Sequence, residues 1–499
     1  MSGDKIRTLR RKHGLTQEQL GAMVGFSQSK ISKIENGDWD SLRDLRLIAK
    51  ALEVPIEELV RDEHSDEKQV LYPFSNAMDD IRFKGKMAEM NGTYLELFAL
   101  LKNALLPGEC EPPQDLEDWA AVFREMQAQA VAALPYAWLK ERQGQQTVNY
   151  SPWITQCLQS QAKWVKVMHG QARLLALLAD HQIDCVILKG AAAAMAYPNP
   201  SLRAMGDVDF LVKRCDRNRT ARLLEENGYT LEHEKDESLH HYGYTKDGVS
   251  FELHWRIAIV RDSDEKLISR LEEGITNREI RETGGFSFPV LPVELNGLVL
   301  ISHINQHLRS GLGLRQIIDW MMYVNALPNE PVDVWSEKLR PMLRDVGMEK
   351  LALCVTVMCQ RCLGLQKNLA GCETVDSKLC DELLEYVMEK GNFGRKSGET
   401  GKLASFSLDM SNPVRFFKRL HAGGMSNWNA ARKHAVLRPF AWIYQIGYIN
   451  KRLIKNGISP GKVAEQHTQG VKQRELIRAL GLEVDRNIDV RRDKPSAKN

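Results

Sequence analysis

Residues 202–212 read LRAMGDVDFLV, and the two aspartates in this run constrain the chain more than any bulk property. The apolar letters after Asp209 mark a buried strand. Asp207 and Asp209 stand at i and i+2, so on a strand both side chains point to one face. Two carboxylates held side by side repel unless a cation lies between them. A divalent ion is the usual solution, and Mg²⁺ is the one preferred for oxygen ligands together with phosphate.

The flanking sequence supplies partners for this strand. Upstream, DCVILKG (184–190) is a short buried-strand signal that ends at Leu188, and Lys189-Gly190 opens an alanine-rich helix. A glycine at a helix start lets backbone N–H groups approach a phosphate. Lys189 and Arg203 add positive charge for β and γ phosphates. Downstream, DRNRTARLLEENG reads as a helix, with Asp216 at its start and Asn227-Gly228 as its stop. HHYGYTKDGVSFELHW reads as a hairpin turning at Asp247-Gly248. Its second strand puts Glu252 and His254 on one face. Three acids on adjacent strands suffice for two metals. One lowers the pKa of an attacking hydroxyl, and the other holds the triphosphate and its leaving group.

This layout resembles the polymerase-β-like nucleotidyltransferase superfamily. The nearest likeness is to a bacterial family with the pattern LKG…R…DxDxLV…ElHW, over roughly residues 150–340. The resemblance implies that Asp207, Asp209 and Glu252 are catalytic metal ligands. It implies that Lys189, Gly190 and Arg203 bind the nucleotide, with Mg²⁺ or Mn²⁺ as cofactor and an NTP as substrate. The chain departs from many relatives at the first motif. Lys189-Gly190-Ala191 stands where they carry Gly-Ser, so a serine hydroxyl is missing from the expected phosphate cradle. A KG at this place also resembles toxin-type nucleotidyltransferases of abortive-infection systems.

The first sixty residues carry a different signal. GLTQEQLGAMVGFSQSKISKIENG places two short helices around a tight turn at Gly25. Thr16 with Gln19 forms a capping box, and Ser27 caps the second helix. Ile31 and Ile34 face a core, while Gln28, Ser29, Lys30, Ser32 and Lys33 form a polar, basic face suited to a major groove. From Asp4 to about Val60 the sequence resembles the XRE/Cro type of phage-repressor helix-turn-helix domain, which implies a five-helix unit that binds double-stranded DNA. By that resemblance Gln28, Ser29 and Lys33 read bases, and Gln17, Lys30 and Asn36 lie near phosphates. Such domains commonly act as dimers, so a homodimer is expected. The alternative is a domain that has lost DNA binding and docks protein.

The rest of the chain adds weaker signals. A net charge of +3 on 499 residues argues for no partner by itself. Nine scattered cysteines fit a reducing cytosol, and the lone Cys359/Cys362 pair reads as a buried helix face, since no second CxxC completes a zinc site. The N-terminus has no apolar signal-peptide segment and no run is long enough to span a membrane, so a cytoplasmic protein is expected. His303 and His307 share a helix face without the glutamate of an HExxH zinc site, so packing or hydrogen bonding is the expectation there. Arg315 and Asp319 are expected as an ion pair or as substrate contacts. His240 and His241 are expected at the surface near the hairpin, one within reach of the site.

Residues 410–464 hold no acid. Arg415, Lys418, Arg419, Arg432, Lys433, Arg438, Lys451, Arg452, Lys455 and Lys462 are interleaved there with Phe416, Phe417, Trp428, Phe440, Trp442, Tyr444 and Tyr448. Cations that track a backbone and rings that stack on bases suit RNA. A helical packing layer with solvated cations is the alternative.

The expected architecture is multidomain. An all-α helix-turn-helix domain (1–62) leads through a charged linker (63–84) to an α+β nucleotidyltransferase domain (85–340, core sheet about 183–260). A helical C-terminal region (341–485) and a disordered tail (486–499) follow. Three functions compete: a nucleotidyltransferase that moves NMP from NTP to an acceptor, a transcription regulator that senses nucleotide without chemistry, and a toxin-like enzyme acting on RNA or tRNA.

Overall fold

The computed structural model describes residues 2–36, 42–52, 54, 91–143, 148–232, 240–258, 264–328, 333–394, 396, 413–455 and 460–482. The expected linker, disordered tail and fifth N-terminal helix lie outside the described residues. The chain forms two compact units, Met1–Ser75 and Asn76–Asn499.

In the first unit, four helices are described: α1 (Ser2–Lys12), α2 (Gln17–Val24), α3 (Gln28–Glu35) and α4 (Leu42–Ala51). The capping box at Thr16 and Gln19 is present, and Gly25 ends α2 with φ 73°. Ser27 starts α3 by accepting a hydrogen bond from the Lys30 N–H. Ile6, Leu20, Ile31, Ile34, Ile48 and Leu52 bury together. Each contributes about 1.5–3 kcal/mol of transfer free energy on burial.

The second unit is built on a seven-stranded mixed sheet, in the order β3-β4-β5-β2-β1-β7-β6. The strands are β1 (Cys185–Leu188), β2 (Val208–Val212), β3 (Thr230–Leu231), β4 (His241–Lys246), β5 (Val249–His254), β6 (Glu279–Thr283) and β7 (Phe286–Val290). The sheet therefore runs to Val290, past the expected limit near 260. β6 carries three exposed residues in a row, which hides its alternation from a hydropathy pattern. The β4–β5 turn is at Asp247-Gly248 as expected, with both residues at positive φ (53° and 68°), the geometry of a two-residue hairpin.

Alternation along the central strands sorts their side chains between two cores. Cys185, Ile187, Val208, Phe210, Val212, Phe251 and Leu253 face Trp164, Val167, Met168 and Leu174 of the long helix Ser151–Asp180. Val186, Leu188 and Leu211 face the other way, into a large helical core that includes Leu298, Ile301, Ile317 and Trp320. Because the period is two, Asp207, Asp209, Glu252 and His254 all fall on the side opposite Phe210 and Phe251. The helices Val293–His307 and Leu314–Ala326 of that helical core bring further side chains to this face.

Cys359 and Cys362 are buried in the helix Glu349–Leu363, and burial pushes both thiols above their ordinary pKa. Among the described residues, no helix is long and apolar enough to cross a membrane.

Candidate active site

Register assembles the acids. β2 and β5 run parallel with Asp209 opposite Glu252, β1 and β2 run antiparallel with Leu188 opposite Asp209, and β4 and β5 run antiparallel with His241 opposite His254. Asp207 lies one residue before β2 and is half-buried, while Asp209 is only 4% exposed. One ligand atom each from Asp209, Glu252 and His254 lies within 4.8 Å of the others. His254 Nε2 is 2.9 Å from Asp209 Oδ1 and 3.3 Å from Glu252 Oε2. Three sequence-predicted acids and one histidine thus share one patch of sheet.

A lysine is drawn into that patch. Lys189 Nζ lies 2.7 Å from Asp209 Oδ1. Its backbone sits at φ 47°, ψ −133°, just before the five-residue helix Gly190–Ala194, and Gly190 follows at φ 27°. Side chains other than glycine rarely take such a conformation, and strain of this kind clusters at functional sites. Burial opposes the Lys189 charge, but Asp209, Glu252 and Asp207 outweigh it and raise its pKa.

The acids differ among themselves. Burial, with Asp209 and Glu252 nearby, pushes Asp207 up to about 7 despite Lys189 and Arg315. Burial also acts to raise Glu252, but the hydrogen bond from His254 and the Lys189 charge hold it well below the usual carboxylate range. Burial lowers His254, yet its bonds to Asp209 and Glu252 leave it raised. His254 Nδ1 is buried with no hydrogen-bond partner among the described residues.

Three expected placements change. Arg203 turns its fork onto Asp319, with Nε–Oδ1 at 2.8 Å and Nη2–Oδ2 at 2.6 Å, and Tyr197 donates to the same carboxylate at 2.7 Å. Arg203 is 3% exposed, so its bidentate pair is a buried strut. Asp319 therefore pairs with Arg203 and not with Arg315. Arg315 keeps only a long bond from Nη1 to the Ala204 carbonyl, 3.4 Å, and its Nε has no partner among the described residues. Asp207 lies within its electrostatic reach. His240 and His241 are not surface residues. The hairpin register sets His241 opposite His254, and the rings of His240 and His241 lie tilted against it with centroids 5.4 Å and 5.1 Å away; burial pushes His241 down to about 2. His303 and His307 hydrogen-bond through their Nε2 atoms at 2.9 Å.

On the N-terminal unit, Gln28, Ser29 and Lys33 are exposed on α3. The side chains expected near phosphates have partners inside the unit. Gln17 donates to Glu35 at 2.9 Å, Asn36 accepts from Arg7 at 2.6 Å, and Lys30 Nζ sits 3.9 Å from the Phe26 ring centre. The link missed by the sequence is Glu35. It is buried and takes both Arg10 Nε (2.5 Å) and Arg10 Nη2 (3.1 Å).

Comparison with known proteins agrees with the geometry. Residues 115–364, half of the chain, match the family described as uncharacterised nucleotidyltransferase. The chain belongs to that family. Residues 6–59 match the helix-turn-helix family, which carries the inference of DNA binding for the N-terminal unit. No curated protein matches the chain. Among solved structures, an antigenic nucleotidyltransferase-like protein from Paracoccidioides brasiliensis is similar at 17% identity, over 41% of this chain and 95% of its own. Its TM-score is 0.27, too low to carry an argument.

Proposed function

We propose that this nucleotidyltransferase moves an NMP group from an NTP to an acceptor with the help of divalent metal, breaking the α–β phosphoanhydride bond and releasing pyrophosphate, and that its N-terminal domain ties the activity to double-stranded DNA. The observation that carries the reading is the β2–β5 register, which sets Glu252 beside Asp209, with Asp207 half-buried one residue before β2. A metal fits the donors present. The acids outnumber the one lysine among them, and that lysine already sits where a cation is wanted. Asp207, Asp209 and Glu252 would hold Mg²⁺ or Mn²⁺, with His254 behind Asp209. Bound there, the metal supplies charge for the triphosphate and lowers the pKa of an acceptor hydroxyl.

The chain's own groups divide the remaining work. Glu252, held ionised, accepts the acceptor's proton. Lys189 moves from Asp209 toward the phosphates, and the backbone at Gly190 borders them. Arg315 takes the phosphate-facing role expected of Arg203, whose fork is filled by Asp319.

Incubation of the full-length protein with α-labelled NTPs and candidate acceptors tests the reading. Label transfer in Mg²⁺ or Mn²⁺ that is lost in the double variant Asp207→Asn/Asp209→Asn is expected. No transfer in any divalent metal, or full transfer by the double variant, overturns it. Nucleotide-dependent DNA binding without turnover would instead identify a sensor.

A second reading, an RNA acceptor, is favoured by the 413–455 region. Trp428 and Tyr444 stack at 5.0 Å and 2°, Tyr448 continues the row at 6.4 Å, and Lys418, Arg432, Lys433, Arg438 and Lys451 are exposed around them. Phe417 and Phe440 are exposed as well, and Trp442 packs on Phe417. The side chains of Arg415, Phe416, Arg419, Arg452, Lys455 and Lys462 lie outside the description. The expected homodimer remains a proposal, checked by sedimentation.

A further inference from the structure

An exposed aromatic ring stands beside the phosphate-facing arginine. Phe393 is 55% exposed, whereas most phenylalanines among the described residues are buried or half-buried. Its ring centre lies 5.4 Å from the Arg315 guanidinium carbon and 4.7 Å from the His307 ring. His307 bonds His303, whose imidazole feels the charge of Lys189 and Arg315. The ring therefore lies beside an arginine whose charge reaches Asp207.

The backbone that presents this ring is strained and firmly held. Phe393 sits at φ 56°, ψ 30°, a left-handed conformation that is an outlier for a bulky side chain. Its N–H donates to the Gly311 carbonyl at 3.1 Å. A Cβ on Gly311 would come within 2.0 Å of the Gly394 nitrogen, and one on Gly313 within 2.7 Å of the Asn392 Cα. Two backbone segments thus dock directly, and Gln316 clamps Asn392 at 2.9 Å. Surroundings that over-determine a strained residue point to a role for what it displays. Hydrophobic burial is not that role, because more than half of the ring's residue is open to solvent.

We propose that Phe393 is the platform on which the nucleobase of the bound nucleoside triphosphate stacks, next to phosphates held by Arg315 and Lys189. The proposal rests on the nucleotidyltransferase reading and extends it to a base-binding subsite. Phe393 lies outside residues 115–364, so the platform is contributed by chain beyond the family match. A ring face accepts any base, so the subsite gives affinity with little base selectivity.

Calorimetric titration of the full-length protein with Mg²⁺ tests it, using the four α,β-methylene nucleoside triphosphates and inorganic tripolyphosphate as probes. Phe393→Asn keeps a residue that tolerates the left-handed backbone and removes the ring. It is expected to weaken all four nucleotides roughly tenfold and to leave tripolyphosphate unchanged, while Phe393→Trp retains nucleotide affinity. Arg315→Ala is expected to weaken nucleotides and tripolyphosphate alike. Unchanged nucleotide affinity in Phe393→Asn overturns the platform, as does an equal loss for tripolyphosphate, which would make the ring a mere support for Arg315. Wild-type protein that binds none of the probes overturns the nucleotidyltransferase reading itself, and the platform with it.

Discussion

Buried acids in the two units of this chain are neutralised very differently. In the N-terminal unit, one carboxylate, Glu35, is met by Arg10, Arg7 and Gln17. On the sheet face of the second unit, three carboxylates share one lysine in direct contact and a titratable histidine, and Arg315 adds its charge near Asp207. The first cluster is complete and holds α1, α2 and α3 together. In the second, direct ion-pair contact with a lysine is made at Asp209, so its acids are less fully matched by contacts than Glu35 is. Counting charges against partners separates a structural carboxylate from a ligand-seeking one better than burial does, since both clusters are buried.

Mutation should break the comparison in opposite directions. Glu35→Ala leaves Arg10 buried without its partner and is expected to cost about 3–5 kcal/mol in the N-terminal unit. Hydrogen exchange across α1–α3 would read this as lost protection, and unchanged protection would refute the structural role. Asp209→Asn removes a charge from a cluster with too many. It is expected to cut nucleotidyl transfer by more than about 100-fold, beyond the cost of losing an outer-shell contact, without lowering the melting temperature of the metal-free protein. A fall in that temperature would show that the acids hold the fold.

Acid should sharpen the same contrast. Glu35 is held below its ordinary value of 4.5: burial opposes this, and the bonds from Arg10 and Gln17 prevail. Its stabilisation is present above pH 4.5 and is lost as pH falls through the lower folded value. Asp207 has the reverse sign. Its folded value, about 7, lies above the ordinary 3.8, so metal-free protein loses stability as pH rises from about 4 toward 7. Hydrogen exchange resolved by unit should show opposite slopes, and parallel slopes would dissolve the distinction. The smallest effect is expected at Lys33, exposed just ahead of Glu35 in sequence. Lys33→Ala should leave both units folded, weaken binding to the preferred DNA site and relax specificity at the base pair that Lys33 reads.

Much of this was legible in the sequence because it depends on short-range rules. The capping box at Thr16 and Gln19, the Asp247-Gly248 turn and the i, i+2 spacing of the aspartates each follow from local geometry. The meeting of Glu252 with Asp209 was readable as strand faces and order, although the register itself comes only from the folded sheet. Partners chosen across long separations were not readable. Arg203 and Asp319 are 116 residues apart, and nothing local tells Asp319 to take that arginine in preference to Arg315. The depth of His240 and His241 was hidden for the same reason, since the strand pairing decides it. Phe393 left only a faint trace, the glycines on either side of Asn392-Phe393 in GNFG.

The salt bridge between Lys189 and Asp209 bears on how the protein is made. An internal counter-ion lets the chain complete its fold with these acids already partly neutralised. Were a metal to bind here as proposed, it would compete with a tethered ammonium for the same carboxylate, and chelation would be expected to remove the ion without melting the fold.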